Sequence, residues 1–516
     1  MLSSKSDRSY KKTIFASILL IVGFFFFWTS VWLYQMFGKI PFEQIYYHAL
    51  TPMDGVPSDL IWKFISFCIP LSLLFTSIIV YLLIKKNGQA NIINDKESCP
   101  SIILGQVNRF MGKHLLGASM VIVLILLVNA VIIMGLPEFI KLTRASTAIY
   151  EEEYIDPRMV TLEFPSKPRN LILLFMESME VTYTSKEYGG NHEQNLIPNL
   201  TRIAMENISF SNGTKVGGTF DYAGFTAPGL FTQMSGLPLR TTLDVNGGAF
   251  KNEFFPGAWM MGDILDTKGY RQLVIFGSDA KFGTRDKMFK GHGNFEIFDL
   301  FTARERGLIP SDYYVFWGFE DRKLFEYIKM ELLELASDDG PFCLVALTVD
   351  THHFDGYVCP LCENDFDEQF SNVIACADKQ INAFFSWLQA QPFYNDTTVV
   401  FLGDHLSMNA SYFQDNTYDR RVYNAFVNSP VVPVNEKDRV FSSLDIFPTI
   451  LAAMGVMIEG DRLAFGVNLF SDKLSLSQQY GAKPFNYEIR KNSFFYNTHI
   501  LDPTDYMRYI VTTAKD

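Results

Sequence analysis

The sequence has no surplus of positive charge: 44 Lys and Arg stand against 56 Asp and Glu, a formal net charge of −12. Nucleic-acid binders carry a basic patch or stripe, so no nucleic-acid partner is expected. Internal repeats and low-complexity tracts are missing as well. No small-residue cleavage site follows the first apolar run, and the run is too long and bulky for a cleaved signal peptide. Cysteine is scarce, with six in 516 residues.

What the sequence does have is an uneven distribution of apolar residues. Residues 1–136 read as a membrane domain with three long apolar runs, at 13–37, 60–84 and 117–136. Each approaches the roughly 20 residues that a bilayer-spanning helix needs. Lys5, Arg8, Lys11 and Lys12 precede the first run, Lys85 and Lys86 follow the second, and Arg109 and Lys113 precede the third. Positive residues collect on the cytoplasmic side, which predicts an internal amino terminus and an extracytoplasmic remainder. Pro137 is read as the stop of the third span. Residues 137–166 are charged and weakly periodic and are expected to be a tether along the membrane surface. Residues 167–516 then form the extracytoplasmic domain.

Cys68 and Cys99 fall in the membrane part and are read as free thiols. Cys343, Cys359, Cys362 and Cys376 fall in the outer domain, where disulfides can persist. The C-x-x-C spacing of Cys359 and Cys362 fits a zinc site or a redox pair; a structural bridge involving this loop is the favoured expectation, with its pairing open.

In the outer domain, apolar strands at 170–175, 271–276, 342–349 and 397–402 alternate with helical patterns at 199–206, 319–335 and 369–389. Such alternation predicts an α/β sandwich around a largely parallel sheet. In that architecture ligands gather at the carboxyl ends of the strands. Glu177 and Ser178 follow one predicted strand; Asp404 and His405 follow another. Two carboxylates and an imidazole make a three-ligand set for a divalent cation with one position left open, as catalytic metals require. Residues 213–236 are rich in Gly and Thr and offer Thr214, Thr219, Thr226 and Thr232. A hydroxyl at a helix amino terminus beside a metal can attack phosphorus, and the helix amides favour phosphate oxygens.

These segments, in order NLILLFMES, IPNLTRIAMENISFSN, GGTFDYAGFTAPGLFTQMSGLPL, GDILDTKGY, FGTRDKMFKGHGNFEIFD, LTVDTHHFDG, VVFLGDHLSMN and LDIFPTILAAMG, resemble the membrane phosphoglycerol transferases of the alkaline phosphatase/sulfatase superfamily. That group includes lipoteichoic acid synthase and the periplasmic glucan phosphoglycerol transferase. The resemblance covers residues 170–455 and implies an alkaline phosphatase/sulfatase-like α/β sandwich. It places metal ligands at Glu177, Asp404, His405 and the nucleophilic threonine. It implies Arg285 as a contact to the phosphoglycerol group, His353 beside the substrate phosphate, and His352 as a neighbouring substrate-binding residue. For the nucleophile, Phe225-Thr226 reaches Gly236-Leu237-Pro238 at the family distance without a gap, whereas Thr219 needs an insertion. Thr226 is therefore preferred.

By this resemblance the chain is expected to be a metal-dependent transferase in the bacterial inner membrane with a periplasmic catalytic domain. It would use Mn²⁺, or Mg²⁺ or Zn²⁺, to move glycerol phosphate from phosphatidylglycerol to a glycan or glycolipid through a phosphothreonine-type intermediate. Phosphoethanolamine transfer and phosphodiester hydrolysis are the enzymatic alternatives, and a non-catalytic lipid sensor is the alternative of another class. Sulfate-ester chemistry is disfavoured, because the Cys/Ser-x-Pro-x-Arg segment is absent. The long carboxyl-terminal extension of the glucan enzyme has no expected counterpart, so a glucan acceptor is not implied. Trp259, Trp317 and Tyr313 are candidate sugar platforms, with core packing the commoner role for such residues.

Overall fold

The computed structural model describes residues 2–52, 55–88, 115–241, 253–409, 412–413 and 418–503. Cys99, Arg109 and Lys113 lie outside them. The chain divides into two compact units, Met1–Phe42 with Pro57–Ile140, and Glu43–Val56 with Lys141–Asp516.

The first unit is helical. α1 (Leu2–Phe37) and α3 (Ser58–Gly88) come first, with α2 (Phe42–Leu50) between them in sequence but, from Glu43 on, in the second unit; a further helix spans Leu115–Ile133. Three segments, Lys11–Phe37, Ser58–Leu82 and Leu115–Ile133, are long and apolar enough to cross a membrane. Leu20 and Phe24 of α1 pack with Val123, and Gly23 lets the Val123 methyls approach its α-carbon closely. Aromatic pairs such as Trp32–Phe64 and Phe24–Phe75 join α1 to α3. The third apolar helix stops at Ile133, ahead of Gly135 in the left-handed conformation at φ 71°. Pro137 instead sits in the first turn of the next helix, Leu136–Arg144, where a missing N–H costs nothing.

The second unit is an α/β sandwich. Its strands include β1 (Leu162–Glu163), β2 (Asn170–Met176), β3 (Gly218–Thr219), β4 (Arg271–Phe276), β5 (Glu296–Phe298), β6 (Phe342–Leu347), β7 (Thr397–Gly403) and β8 (Val422–Val427). Seven of them form one sheet in the order β3-β8-β7-β2-β6-β4-β5. The run from β7 to β5 is parallel, and β8 pairs antiparallel with β7. The central strands are apolar throughout because both faces are covered. Leu171, Leu173 and Phe175 of β2 enter one core, and Ile172, Leu174 and Met176 enter the other, the two-residue alternation of a strand. One face is covered by the helices Thr226–Ser235 and Ile446–Ala453. The other is covered by Pro198–Glu206, Asp321–Leu335 and Gln369–Gln389.

Three expectations need correction. Residues 141–166 are part of the second unit rather than a tether: Ile149 and Tyr150 are buried in its core, and the Tyr150 hydroxyl donates to Ile489 O at 2.5 Å. The strand expected at 342–349 ends at Leu347, after which Thr348 and Thr351 bond to the Glu177 backbone at the end of the neighbouring strand. No disulfide forms among the described cysteines; of the four in the outer domain, Cys343 is enclosed within β6, and Cys359, Cys362 and Cys376 gather elsewhere.

Candidate active site

β2 and β7 lie parallel with Phe175 opposite Leu402 and Met176 opposite Gly403. The residues that follow them, Glu177 on one side and Asp404 and His405 on the other, therefore leave the sheet together at its carboxyl edge. Their ligating atoms lie within 4.8 Å of one another, and all three side chains are buried. His405 Nε2 is 3.4 Å from Glu177 Oε1 and 3.3 Å from Asp404 Oδ2. The supports are backbone groups and short polar side chains. Asp404 Oδ1 accepts from the Ser178 and His405 amides at 2.8 Å each. Ser178 Oγ donates to Glu177 Oε1 at 2.8 Å, and Thr351 Oγ1 donates to the Glu177 carbonyl at 2.5 Å. His405 Nδ1 faces the Leu406 carbonyl at 2.7 Å, an arrangement that places a proton on Nδ1 and turns Nε2 to the cluster.

Among the described residues, Asp404 Oδ2 is buried without a hydrogen-bond partner. The His405 Nε2 contact at 3.3 Å leaves this buried carboxylate oxygen without a hydrogen bond, which is costly, and a cation at this point would satisfy it. The titration behaviour agrees. Burial opposes charge on His405, yet Asp404 and Glu177 outweigh it and push the ring up to about 10. Burial and then the Glu177 charge hold Asp404 well above the usual carboxylate range. Burial also opposes Glu177 ionisation, but His352 and His405 together bring its carboxyl below the ordinary value. Two buried carboxylates and one imidazole thus compete for protons in a space that fits a divalent ion.

Thr226 opens the helix Thr226–Ser235, with Phe225 as its cap. Its Oγ1 is 3.2 Å from Glu177 Oε2 and 3.3 Å from His405 Nε2. The helix is held against the Asp404–His405 loop at close range. A β-carbon on Gly229 would stand 2.4 Å from the Asp404 carbonyl oxygen, so this approach needs a glycine. One turn on, Gln233 Nε2 donates to the Gly403 and Asp404 carbonyls at 3.1 Å each. Thr219 is buried on β3, where its hydroxyl accepts from Asn424 Nδ2 at 3.1 Å. Thr214 donates to the Val216 carbonyl. Of the candidate threonines, Thr226 is the one whose hydroxyl bonds to the Glu177–His405 pair.

Arg285 is buried and donates through Nε to Phe282 O at 3.0 Å and through Nη2 to Asp279 O and Ser278 Oγ at 2.8 and 2.9 Å. Its guanidinium covers the Phe276 ring at 4.5 Å. Burial lowers its pKa to about 10, against the charges of Asp279 and Glu177, so it stays cationic at neutral pH. His352 and His353 stand near enough to Glu177 and His405 to feel their charges, and their own rings stack at 4.6 Å. An extended strand would have sent them to opposite sides, but this stretch is a turn. Burial lowers both below the ordinary histidine value while Glu177 opposes it. Trp317 packs on His352 at 4.6 Å, and the Tyr313 hydroxyl is bonded to Glu320 at 2.7 Å; both are internal packing groups here.

Two contributors escaped the sequence reading. Asp221 caps the Ala223 amide with Oδ1 at 2.7 Å and accepts from the Leu406 amide with Oδ2 at 3.1 Å. It ties the loop before Thr226 to the loop after His405. A pair of polar residues embedded in an Asx-turn was its only signal. The second is the segment Glu43–Val56, which belongs to this unit. The Tyr47 hydroxyl donates to Gly283 O at 2.8 Å, and the His48 ring rests against Phe225 and Phe282 at 5.3 and 5.9 Å. Glu43 and Arg240 form a largely buried ion pair at 2.7 Å. Sitting between two apolar runs, the segment reads as a short connection.

Known proteins resemble this chain to different extents. Phosphoglycerol transferase I of Escherichia coli (strain 55989 / EAEC) is 33% identical over 254 residues, which is 48% of this chain and 32% of the relative. The match thus spans about a third of that protein's length. Among solved structures, the lipooligosaccharide phosphoethanolamine transferase A (EptA) of Neisseria meningitidis superimposes with a TM-score of 0.51 at 13% identity, covering 86% of this chain and 84% of that one. The lipoteichoic acid synthase LtaP of Listeria monocytogenes gives 0.47 at 18% identity, covering 61% and 79%. The first likeness speaks to sequence and the second to fold. The Sulfatase family profile matches residues 169–456, more than half of the chain and all of the strands that carry Glu177, Asp404 and His405: the chain belongs to the sulfatase family.

Proposed function

We propose that this chain is a phosphoglycerol transferase of the bacterial inner membrane, with its site outside the cytoplasm. It would take glycerol phosphate from phosphatidylglycerol and pass it to a hydroxyl of a glycan or glycolipid. The observation that carries this reading is the Thr226 hydroxyl, placed at a helix amino terminus between Glu177 and His405. The E. coli relative's name supports the transferred group, and the three apolar helices support the lipid donor.

Glu177, Asp404, His405 and Thr226 Oγ1 would hold the divalent cation, Mn²⁺ by family resemblance, which supplies charge neutralisation and Lewis acidity. In the first half-reaction Thr226 Oγ1 attacks phosphorus with loss of its proton. The phosphorus–oxygen bond to the lipid breaks, and diacylglycerol leaves protonated. Glycerol phosphate stays on Thr226 as a diester. Arg285, cationic and preset by three hydrogen bonds, faces the phosphoryl oxygens as charge shifts onto them. In the second half-reaction an acceptor hydroxyl attacks the same phosphorus and Thr226 leaves. His353, with His352 beside it, is held neutral by burial and so is able to accept the acceptor's proton.

The test is to incubate detergent-purified protein with phosphatidylglycerol and Mn²⁺ in the absence of acceptor and to map its peptides by mass spectrometry. Phosphoglycerol on Thr226 is expected. An adduct on Thr219 would overturn the nucleophile. Metal-loaded protein without any adduct or released diacylglycerol would overturn the donor, and protein that binds no metal would favour a lipid sensor.

A further inference from the structure

Away from the catalytic cluster, three sulfurs converge. Cys359 and Cys362 lie on the loop that follows the His352–His353 turn, and Cys376 lies on the helix Gln369–Gln389. Cys359 Sγ is 3.7 Å from Cys376 Sγ and 3.7 Å from Cys362 Sγ, and all three could serve one ion. A disulfide requires about 2.05 Å. Tetrahedral thiolates at a zinc–sulfur distance of about 2.3 Å sit roughly 3.8 Å apart, which is the spacing seen. The number of thiols also argues against simple pairing, since any bridge among three leaves one over.

The surroundings are built for bound thiolate. In the Cys359-Pro360-Leu361-Cys362 turn the Cys362 amide donates to the Cys359 carbonyl at 3.0 Å. Gln380 stands one helical turn after Cys376 and is 8% exposed. Its Nε2 is 3.5 Å from Cys376 Sγ and 3.7 Å from Cys359 Sγ. Its Oε1 is buried without a hydrogen-bond partner among the described residues. The two amide atoms exchange places by a half-turn of the carboxamide, and the exchange aims the orphaned oxygen at the sulfurs as a fourth ligand.

We propose that Cys359, Cys362 and Cys376, closed by Gln380, form a structural site for a zinc-class divalent cation, separate from the catalytic centre. Its role is to clamp the loop carrying His352 and His353 to the helix Gln369–Gln389. Binding releases the thiol protons and involves no oxidant.

The test uses the full-length chain in detergent, carrying His405→Ala to empty the catalytic centre, with Co²⁺ as probe. One Co²⁺ per chain is expected, with the near-ultraviolet sulfur-to-cobalt charge-transfer band that carboxylate and imidazole ligands do not produce. Cys376→Ser added to this protein should lose the band. A second measurement does not depend on how the variants fold. Wild-type protein denatured in chelator and alkylating agent, without reductant, should carry the alkyl group on Cys359, Cys362 and Cys376. A peptide pair linked through any two of them, or three alkylated thiols with no cobalt band, would overturn the proposal.

Discussion

Tyr47 and Thr284 meet hydroxyl to hydroxyl at 3.0 Å, although 237 residues separate them in the chain. The same Tyr47 oxygen donates to the Gly283 carbonyl, so one buried phenol braces the turn from which Arg285 starts its helix. Thr284 sits there at φ 59°, in the left-handed region, which a threonine occupies only when its neighbours hold it. Tyr47→Phe keeps the ring and removes both bonds. The loss of such bonds costs about 1 kcal/mol, and the expected result is a several-fold fall in kcat with metal content unchanged. Steady-state kinetics beside metal analysis reads this; unchanged kcat would limit Tyr47 to packing.

The ligand set separates metal binding from chemistry. His405→Ala and Glu177→Ala each remove a ligand and should lose both bound metal and turnover. Thr226→Ala should retain the metal through Glu177, Asp404 and His405 while turnover falls by about 10³-fold or more, as expected for loss of a covalent nucleophile. Metal analysis after dialysis, paired with diacylglycerol release, distinguishes the two patterns. A Thr226→Ala enzyme at near wild-type rate would remove Thr226 from the chemistry.

Behind the histidine turn, Asp321 and Asp350 form a carboxyl pair. Asp321 accepts from the Val349 and Asp350 amides at 2.7 and 3.1 Å, and Asp350 Oδ1 accepts from the Asp321 amide at 3.1 Å. Burial pushes Asp321 up to about 7 despite those bonds. Burial and then the Asp321 charge raise Asp350 as well. Unfolded carboxyls titrate near 4, so between about pH 4 and 7 the folded chain binds more protons than the unfolded one. Stability therefore falls as pH rises through that window, by at most about 1.4 kcal/mol per pH unit for each proton. Melting temperatures from pH 5 to 8 should decline in the wild type, and Asp350→Asn should flatten the slope. An equal slope in the variant would assign it to other groups.

The sheet was legible because its central strands are apolar on both faces. Expected strands at 170–175, 271–276 and 397–402 agree with β2, β4 and β7 to within a residue. Glu177, Asp404 and His405 were legible for the same reason, since each follows such a strand. β8 was missed: Val422–Val427 is interrupted by Asn424, a residue unfavourable in strands, whose amide instead bonds Phe210 O and Thr219. Asp221 and Tyr47 were missed because their work is done by contacts across more than 180 residues, which local pattern does not carry. Residues 141–166 looked like a tether because their buried groups are spaced without a helical or strand period. The three converging cysteines were visible as C-x-x-C, but Cys376 joins them only through the fold.

The segment Glu43–Val56 lies in the sequence between two apolar helices, yet it is part of the α/β unit. Anchor and enzyme are therefore interleaved along the chain rather than joined end to end. A domain excised at residue 141, the natural place for a soluble fragment, would leave behind Tyr47, His48 and Glu43. It would expose the faces of Phe225, Phe282 and Arg240 that they cover. Such a fragment would misreport this unit, and an exchange of membrane anchors between relatives would also exchange part of the wall around Phe225 and Thr226.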